Sequence, residues 1–397
     1  MSDIRYFYVR PTDSLFIRGN LAFGDGGEHG ASQMPPPPSV FAGAFRSAIL
    51  GQRADHMAQF LEGQPLTDVV KARCLGTYTK PGDFSVTWLS LAGQVKGQAQ
   101  PEAVSPLPAD LVALGGAFAP LIPRAVVAGI ASAGELPMRA TLFTPKQEKP
   151  SAGVYLRGLG FQDHLQGKLP GDAMQVPAGQ LFGRDPRLGI GLNGDSRTAQ
   201  EGLIYTTEGF AFSPSHDGEG KACPFASTGF LVGLRGVADA LPDQGHLRLG
   251  GDGRSATYQR VEFKLPLAGQ LAANKRFRLI LQTPALFEAG WLPDGVVSDD
   301  AFYRLKCDGF SARLACAAIG RREVVSGWDL HGSKPKPAQA AVPAGSVYWF
   351  DEFEGDAGKL AAWAQGGLWA QNLTALNALQ MARRAEGYNL ALLGQWN

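Results

Sequence analysis

Ile4-Arg-Tyr-Phe-Tyr-Val-Arg10 is the first apolar run of the chain, and its aromatic and β-branched residues are typical of a strand. A second run, Lys275-Arg-Phe-Arg-Leu-Ile-Leu-Gln-Thr-Pro284, aligns with it without gaps, and the match continues beyond the strand. The aligned pairs are Arg5 with Arg276, Thr12 with Thr283, Leu15-Phe16 with Leu286-Phe287 and Gly19 with Gly290. We therefore predict an internal duplication in which each half is one structural unit.

Both halves also end with a glycine turn that leads into a strand. In the first half, Leu249-Gly-Gly-Asp-Gly-Arg254 precedes the strand-like run Ser255–Val261. In the second, a helical stretch from about Leu360 to Arg384 stops at Gly387 and a strand follows. This order is compatible with the β-α-β-β-α-β ferredoxin-like unit. The sequence thus predicts an α+β fold of two ferredoxin-like (RRM-like) domains, residues 1–266 and 271–397.

The first half is too long for one such unit, so we predict long loop and β-hairpin insertions at about residues 94–227, which are rich in Gly and Pro. Earlier in this half, Met34-Pro35-Pro36-Pro37-Pro38 is predicted to be a rigid connector into a helix over Val40–Ile49, with Ser39 as its N-cap. A docking peptide for an SH3-like partner is the alternative interpretation of the four prolines.

Composition favours a globular protein and gives little guidance on partners. The 397 residues are 45% hydrophobic, which is enough to bury substantial cores. Since the sequence has no long apolar run and no signal-peptide layout, we expect a cytoplasmic protein without membrane contact. Lys plus Arg total 37 against 36 acids, so net charge alone gives no attraction for a polyanion. The 24 Arg outnumber the 13 Lys, which suits phosphate contacts, although GC-rich coding would give the same bias.

Neither cysteines nor histidines form a recognisable chemical site. The cysteines contain no CxxC motif and are Cys74, Cys223, Cys307 and Cys316. The histidines occur singly, without HExxH spacing, at His29, His56, His164, His216, His246 and His331. Gly250-Gly-Asp-Gly253 resembles the start of a polymerase palm motif but lacks the second acid that a two-metal site needs. We expect no metal, no cofactor and no enzyme activity; His29 is the one candidate general base.

Gly189-Ile-Gly191-Leu-Asn-Gly194 matches the dinucleotide motif GxGxxG, but no apolar strand precedes it and no apolar helix follows, so a dinucleotide site is rejected. We predict instead a phosphate-binding glycine loop, because glycines let backbone N–H groups approach an anion while Arg184, Arg187 and Arg197 supply charge. A surface turn with solvated charges is the alternative.

A last candidate region is basic and proline-rich. Lys334-Pro-Lys336-Pro337 forms a predicted rigid basic prong, for which contact with phosphate or a partner and simple solvation are both open. Trp328 precedes it and could stack on a base, but packing in a core is the favoured interpretation.

Taken together, these segments resemble one family, the third subunit of the Cmr module in type III-B CRISPR effectors, a RAMP-superfamily protein of the Cas-five-like group. The matching segments are Pro11 to Arg18, Pro35 to Arg46, Asp185 to Gly191 with Arg197 to Gly202, Leu249 to Arg254, and Ser326 to Phe350. Glu386 to Gly394 matches the family's C-terminal glycine-rich loop, with Asn389 where such loops often carry a second glycine.

The resemblance implies two ferredoxin-like domains and binding of the repeat-derived 5′ tag of the guide RNA (crRNA). It also implies contacts with the large palm-domain subunit and the first backbone subunit, and a structural rather than nucleolytic role. Residues 205–212 are expected to belong to a thumb hairpin that contacts the guide–target duplex.

The predicted RNA contacts combine the glycines and cations of these segments. They are Arg18, Arg46, Arg184, Arg187, Gly189, Gly191, Arg197, Thr198, Gly251, Arg254, Lys334, Lys336, Arg383, Arg384 and Gly387. One alternative is a RAMP endoribonuclease that processes precursor guide RNA with His29 as its base. Another is a protein-only scaffold in which the arginines meet acidic partners.

Overall fold

Two antiparallel sheets organise the chain, which is strand-rich with few helices, so the expected mixture of helix and strand is confirmed. The computed structural model describes residues 4–17, 29–31, 33–78, 80–126, 135–142, 148–212, 223–251, 253–267, 274–299 and 302–397. Within these ranges, residues 4–261 supply the first sheet and residues 277–395 the second.

The strands up to residue 261 are β1 (Ile4–Pro11), β2 (His29–Ala31), β3 (Ser85–Val95), β4 (Glu102–Pro106), β5 (Leu111–Leu114), β6 (Ala117–Pro120), β7 (Ile122–Ala125), β8 (Met138–Thr141), β9 (Val154–Arg157), β10 (Gln175–Pro177), β11 (Gly183–Leu192), β12 (Ala199–Ala211), β13 (Phe225–Arg235), β14 (Gln244–Arg248) and β15 (Ser255–Val261). Those beyond it are β16 (Phe277–Leu281), β17 (Val296–Asp299), β18 (Phe302–Cys307), β19 (Phe310–Ala318), β20 (Glu323–Val325), β21 (Trp328–Asp329), β22 (Lys334–Pro335), β23 (Gln339–Ala341), β24 (Val347–Gly355) and β25 (Ala391–Gln395).

The helices are α1 (Pro38–Leu50), α2 (His56–Leu61), α3 (Val69–Leu75), α4 (Gly158–Leu165), α5 (Ala357–Gln365) and α6 (Ala378–Glu386). Single 3₁₀ turns occur at Asp172–Met174, Ala178–Gln180 and Leu373–Ala375. In the described ranges, no helix combines the length and the apolar character that crossing a bilayer requires.

The two large sheets share one central strand order. The first runs β10-β9-β4-β3-β13-β1-β15-β14 and the second runs β17-β18-β19-β24-β16-β25. Each therefore contains a core of four strands, β3-β13-β1-β15 and β19-β24-β16-β25. If the four core strands are counted in chain order, the first lies between the third and the fourth in both sheets. This common order is what the predicted duplication requires.

Helix α1 begins two residues earlier than expected and is capped differently. Pro37 is the N-cap and Pro38 occupies the first helical turn, where the missing proline N–H costs nothing. The prediction that Ser39 caps the helix is therefore wrong. Its hydroxyl instead lies 3.1 Å from that of Tyr388, joining the two halves of the chain.

The predicted helical stretch near the C-terminus is two helices rather than one. Helix α5 ends at a Gly366-Gly367 pair, and Gly367 adopts a φ of 86°, which breaks the helix. Helix α6 starts with a capping box between Asn377 and Gln380. It stops at Gly387, whose left-handed φ of 92° confirms the predicted helix stop.

The two sheets pack face to face through a shared core. On β1, Phe7 and Val9 face the core beneath α1, whereas Tyr8 faces the opposite way. That second face meets Ile280 and Trp349 of the other sheet in one buried cluster. Because the central strands are buried on both faces, they read as continuous apolar runs rather than as alternating ones.

Residues 96–224 lie between β3 and β13 and contain most of the smaller elements. Strands β4, β9 and β10 extend the first sheet, while β11 and β12 form a long antiparallel hairpin that β2 joins through parallel pairing with β12. The β11–β12 hairpin carries several of the residues predicted to contact RNA.

Candidate nucleic-acid interface

The predicted glycine loop around Gly189 is a strand, so the loop prediction is wrong. Gly189 lies in β11 directly opposite Tyr205 of β12. A Cβ at Gly189 would be 2.3 Å from Cζ of Tyr205, and one at Gly191 would be 2.7 Å from Cβ of Leu203. These glycines therefore make room for side chains of the neighbouring strand rather than for a phosphate. The strand character predicted for residues 205–212 is confirmed as far as Ala211.

The β11–β12 hairpin exposes an apolar face. Leu188, Ile190, Leu192 and Ile204 are each more than half exposed, and Ile190 pairs directly with Ile204. Alternate residues of a strand share one face, so these side chains form a continuous exposed row. Exposed apolar rows of this kind mark surfaces that contact another molecule.

The tip of this hairpin, residues 193–198, presents a cation. The side-chain oxygen of Asn193 accepts the backbone N–H groups of Asp195 (3.0 Å) and Ser196 (3.2 Å), which fixes the turn. Arg197 follows with a φ of 53° and an exposed side chain that has no ion pair with any described residue. The hydroxyl of Thr198 lies 2.7 Å from that of Ser196. Of the predicted contacts on this hairpin, Arg197 is the cation that a phosphate would reach without competition.

At the root of the hairpin, by contrast, the predicted arginines already have acidic partners. Arg184 pairs with Glu208 at 2.7 Å across the two strands. Nη2 of Arg187 lies 2.8 Å from Asp185 and 3.5 Å from Asp13.

Asp13 also pairs with Arg254, so the structure joins two regions that are far apart in sequence, the hairpin root and the turn after β14. The N–H of Ser14 and the two arginines hold the pKa of Asp13 below its usual range. Hydrogen bonds from Ser14 and Arg187 do the same for the pKa of Asp185. Both acids are therefore ionised at neutral pH and compete with phosphate for the arginines.

The turn that contains Gly250, Gly251 and Gly253 is shaped for the protein's own backbone. Gly250 and Gly253 have φ values of 81° and 65°, which other residues rarely adopt. The N–H of Gly251 donates to the carbonyl of Phe16 at 2.7 Å. This amide is therefore already used, and it is not available to an anion as the sequence suggested.

Four of the predicted RNA contacts lie in a packed cluster between the two halves instead of on the surface. Arg383 is 1% exposed and pairs with Glu386 at 3.0 Å, while Lys336 pairs with the same carboxylate at 2.9 Å. Arg46 stacks over the ring of Phe84 at 4.8 Å.

Burial disfavours the charged carboxylate of Glu386, but Lys336, Arg383 and Arg46 outweigh it and keep its pKa below the usual value. A Cβ at Gly387 would be 2.8 Å from Cβ of Val86, so this glycine lets α6 pack against β3. Arg383, Arg46, Lys336 and Gly387 thus hold the two halves together. Arg383 is too buried to reach RNA, whereas Lys336 keeps 27% of its side chain exposed.

Arg384 has a different environment from its neighbour Arg383. Burial, and then the positive charge of Arg235, lower the pKa of Arg384. Among the described residues, neither Arg384 nor Arg235 has an acidic partner, and Nε of Arg235 is buried without a hydrogen bond. Two like charges that lack a counterion form a site that favours an anion. No sequence motif singles out Arg235, which lies at the end of the buried strand β13.

The structure describes some of the remaining predicted residues fully, and others only in part or not at all. Lys334 is exposed on β22. Trp328 is 57% exposed, so the prediction that it packs in a core is wrong. Arg18 lies outside the described residues, and of His29 only the backbone is described, in β2 beside Thr206. In the part of the chain that the structure describes, His, Cys, Asp and Glu form no group that could hold a metal.

Asn389 fills the position where the family pattern often has glycine. It adopts a φ of 64° and is fully buried, and its side-chain oxygen accepts the N–H of Leu286 at 2.7 Å. The turn is therefore preserved, but its backbone faces the protein interior.

Comparison with solved structures gives weak similarities to CRISPR effector complexes. One chain of the type III-B Cmr-beta bound to cognate target RNA and AMPPnP, state 1, is 14% identical with a TM-score of 0.49, and the match covers 98% of this chain and 99% of that one. A chain of the type III-B Cmr-beta bound to cognate target RNA is 12% identical with a TM-score of 0.46, covering 98% and 96%. No curated protein matches at a significant level.

The family comparison is decisive. The model of the CRISPR-associated protein family Cas_Cmr3 matches residues 7–396, which include nearly all of the two large sheets, the β11–β12 hairpin and the C-terminal glycine turn. This agrees with the resemblance found in the sequence. The chain therefore belongs to the Cas_Cmr3 family of CRISPR-associated proteins.

Proposed function

We propose that this chain is a non-catalytic, RNA-binding subunit of a type III-B CRISPR effector that holds the 5′ repeat-derived tag of the guide RNA. In the same role it joins the large palm-domain subunit to the backbone filament in antiviral defence. The observation that carries this proposal is the Cas_Cmr3 family match over residues 7–396. The geometry indicates which surfaces of the chain would bind the RNA.

The two sheets support the interpretation of two ferredoxin-like domains. Both have the central strand order described above, and each half retains one helical layer of the β-α-β-β-α-β unit. The first half keeps α1, with the shorter α2 and α3, between the core strands β1 and β3, and the second keeps α5 and α6 between the core strands β24 and β25. Each half would then be one RNA-binding module from which part of the helical cover has been lost.

We assign phosphate contacts to three cations that have no acidic partner among the described residues, Arg197 at the hairpin tip and the pair Arg235 and Arg384. Arg184, Arg187 and Arg254 can contribute by exchanging a carboxylate for a phosphate. The exposed apolar row on the β11–β12 hairpin suits a thumb that contacts the guide–target duplex, since apolar side chains insert between bases more readily than charged ones.

Contacts with neighbouring subunits require apolar surface elsewhere. Val297 and Phe302, on strands β17 and β18 at the edge of the second sheet, are 44% and 43% exposed. An exposed edge with such residues favours a protein partner. We place the contact with one neighbouring subunit of the effector at this edge.

Equilibrium binding of guide RNAs with and without the repeat-derived tag tests the proposal. The chain should bind the tagged guide at least about tenfold more tightly, alone or together with the large subunit, and the preference should survive at physiological salt. Equal affinity for both guides in both settings would show that tag recognition lies elsewhere.

The absence of catalysis is tested separately. Incubation of the purified chain with repeat RNA and no metal should leave the RNA intact. Specific cleavage that disappears in a His29→Ala variant would establish the endoribonuclease alternative.

A further inference from the structure

An exposed tryptophan on a short hairpin is not explained by the contacts described so far. We name residues 326–337 the Trp328 hairpin; β21 and β22 pair within it, with Trp328 opposite Pro335. Trp328 is 57% exposed and Leu330 is 60% exposed. Tryptophan is highly buried on average, and here two large apolar side chains of one short hairpin are exposed together, which is typical of a contact surface.

The base of the Trp328 hairpin is fixed to the second half of the molecule. The hydroxyl of Ser326 donates to the carbonyl of Lys336 at 2.8 Å, and the N–H of Lys336 donates to the carbonyl of Gly327 at 2.8 Å. Arg383 donates to the carbonyl of Ser326 at 3.1 Å, and Lys336 pairs with Glu386. The buried cluster of Arg383 and Glu386 therefore fixes the base of the hairpin.

The tip of the hairpin is fixed to the first half. The hydroxyl of Tyr78 donates to Asp329 at 2.6 Å, and this bond raises the pKa of Tyr78 to about 12. The ring of Tyr78 stacks on that of His331 with centroids 4.4 Å apart. Nδ1 of His331 donates to the carbonyl of Leu61 at 2.5 Å. With both ends held, Trp328 is presented on a rigid support, which lowers the entropy cost of binding.

The charges around Trp328 favour an anionic partner. The segment from residue 321 to residue 337 contains the cations Arg321, Arg322, Lys334 and Lys336 and the acids Glu323 and Asp329. Asp329 is already satisfied by Tyr78 and by the N–H groups of His331 and Gly332. Lys334 has no ion pair among the described residues. Lys334 lies one register position from Trp328, next to Pro335, the residue opposite the tryptophan. Protein–protein interfaces are enriched in tryptophan but depleted in lysine, so it is Lys334 that makes nucleic acid the better partner here.

We propose that Trp328 is a stacking site for an unpaired RNA base and that Lys334 contacts the adjoining phosphate. This inference rests on the proposed RNA-binding function and adds a site to it. Aromatic side chains stack on any base because every base has a π-face, and a neighbouring cation binds the backbone. The site therefore recognises single-stranded rather than duplex RNA, because the bases of a duplex are already stacked.

Fluorescence anisotropy with the full-length chain and a fluorescein-labelled, single-stranded tagged guide tests the site. Trp328→Ala should weaken binding on the order of tenfold while leaving the slope of log K against log salt unchanged, because no charge is lost. Trp328→Phe, which keeps an aromatic face, should stay within about threefold of the wild type. Lys334→Ala should lower the slope by about one unit.

Leu330→Ala is the matched control, since Leu330 is at least as exposed on the same hairpin but has no aromatic face. It should bind RNA like the wild type. Replacing single nucleotides of the guide by abasic ones should identify one position whose loss weakens binding to the wild type but not to Trp328→Ala.

The outcomes separate this site from the broader function. If the wild type binds the tagged guide and Trp328→Ala binds it equally well, the stacking site is wrong and the RNA-binding function stands. Unchanged RNA affinity together with failure of Trp328→Ala to assemble with the other effector subunits would assign the tryptophan to a protein partner instead. If the wild type binds no RNA, the proposed function fails and the stacking site with it.

Discussion

Asp13 holds Arg187 and Arg254 together at the root of the β11–β12 hairpin, so an RNA phosphate must displace an internal carboxylate there. Asp13→Asn removes the charge while keeping the shape of the side chain. It should raise RNA affinity by about threefold and steepen the salt dependence, because Arg254 loses its acidic partner and Arg187 keeps only Asp185. Salt-dependent anisotropy measures both quantities.

The matched control is Asp308→Asn, which frees Lys359 from an exposed ion pair of 3.1 Å in the second half. It makes the same change in net charge. Equal gains in the two variants would mean that only total charge matters, which would remove the hairpin root from the RNA-binding surface.

Asp294 gives a prediction with a defined pH dependence. Burial raises its pKa to about 6, and its side chain accepts the N–H of Glu288 at 3.2 Å. Because the folded pKa is above the unfolded one, the stability associated with the neutral acid is complete below about pH 4 and is lost as the pH rises through 6. Asp294→Asn should therefore stabilise the fold by about 1 kcal/mol at pH 7, allowing for partial exposure, and by nothing near pH 4.

Urea unfolding at both pH values is the measurement. Asp299→Asn is the control, because Asp299 pairs with Lys306 at 2.9 Å and its pKa is lowered, so this variant should give no gain at pH 7. A gain for Asp294→Asn that is equal at pH 4 and pH 7 would contradict the assignment.

For single residues, the sequence shows which side chains are cationic but does not predict which of them lack an acidic partner. Arg383 and Arg384 are adjacent in sequence, yet one is buried against Glu386 and the other lies beside Arg235. The difference arises from the packing of α6 against the first sheet, a long-range contact that no local pattern encodes. For the same reason, the exposure of Trp328 could not be predicted.

In the β11–β12 hairpin, the GxGxxG motif obscured the sequence pattern of strand β11. The run Leu188, Ile190, Leu192 alternates with period two, as a half-exposed strand should, but the intervening glycines also spell GxGxxG. The glycines made a loop the natural prediction. What decides the structure is Tyr205 on the partner strand, which occupies the space that a side chain at Gly189 would need.

Gly189→Ala should therefore displace the ring of Tyr205 and loosen the hairpin locally. Tyr205 is 42% exposed and can rotate outward, so the midpoint of global unfolding should move little. Hydrogen exchange of the amides in β12 should become faster, because the hairpin loses cross-strand packing.

Gly183→Ala is the matched control on the same strand, since a Cβ there would meet nothing within 4 Å. Its exchange pattern should equal that of the wild type. Identical exchange in both variants would mean that Tyr205 does not stabilise the hairpin.

At the scale of the whole molecule, a buried ionic cluster joins the two sheets. Asp110, from the residues between β4 and β5, pairs with Arg278 of β16, and its other oxygen lies 2.8 Å from Nε2 of His164. Arg278 also donates to the carbonyls of His164 (2.6 Å) and Gln395 (2.9 Å). Burial opposes ionisation of Asp110, but His164 and Arg278 outweigh it and hold its pKa at about 2.

Asp110→Asn should destabilise the fold by about 3–5 kcal/mol, because it leaves the guanidinium of Arg278 buried without a counterion. Since the pKa of Asp110 is lowered by folding, this contribution is present above about pH 4 and is lost as the pH falls toward 2. Urea unfolding of the two proteins at pH 7 measures the difference. A loss below about 1 kcal/mol would mean that water or another group compensates Arg278, and the cluster would not be a link between the sheets.

A strand pattern shared by the two halves was predictable, since the sequences of β1 and β16 align and both large sheets have the same central strand order. How the two sheets meet was not. Tyr8 and Ile280 belong to runs that are apolar on both sides, so the sequence does not indicate which face turns toward the other sheet. The Arg235–Arg384 pair and the support of the Trp328 hairpin both depend on that packing, so neither could be predicted from the sequence.

The most direct test of the central claim, that this chain holds the 5′ tag of the guide, is photo-crosslinking within the assembled effector. A guide RNA with a single 4-thiouridine in its tag would be incorporated, irradiated and analysed by mass spectrometry. We predict that the tag crosslinks to this subunit, in peptides that contain Arg197, Arg384 or the Trp328 hairpin. Crosslinks from every tag position to other subunits alone would contradict the account.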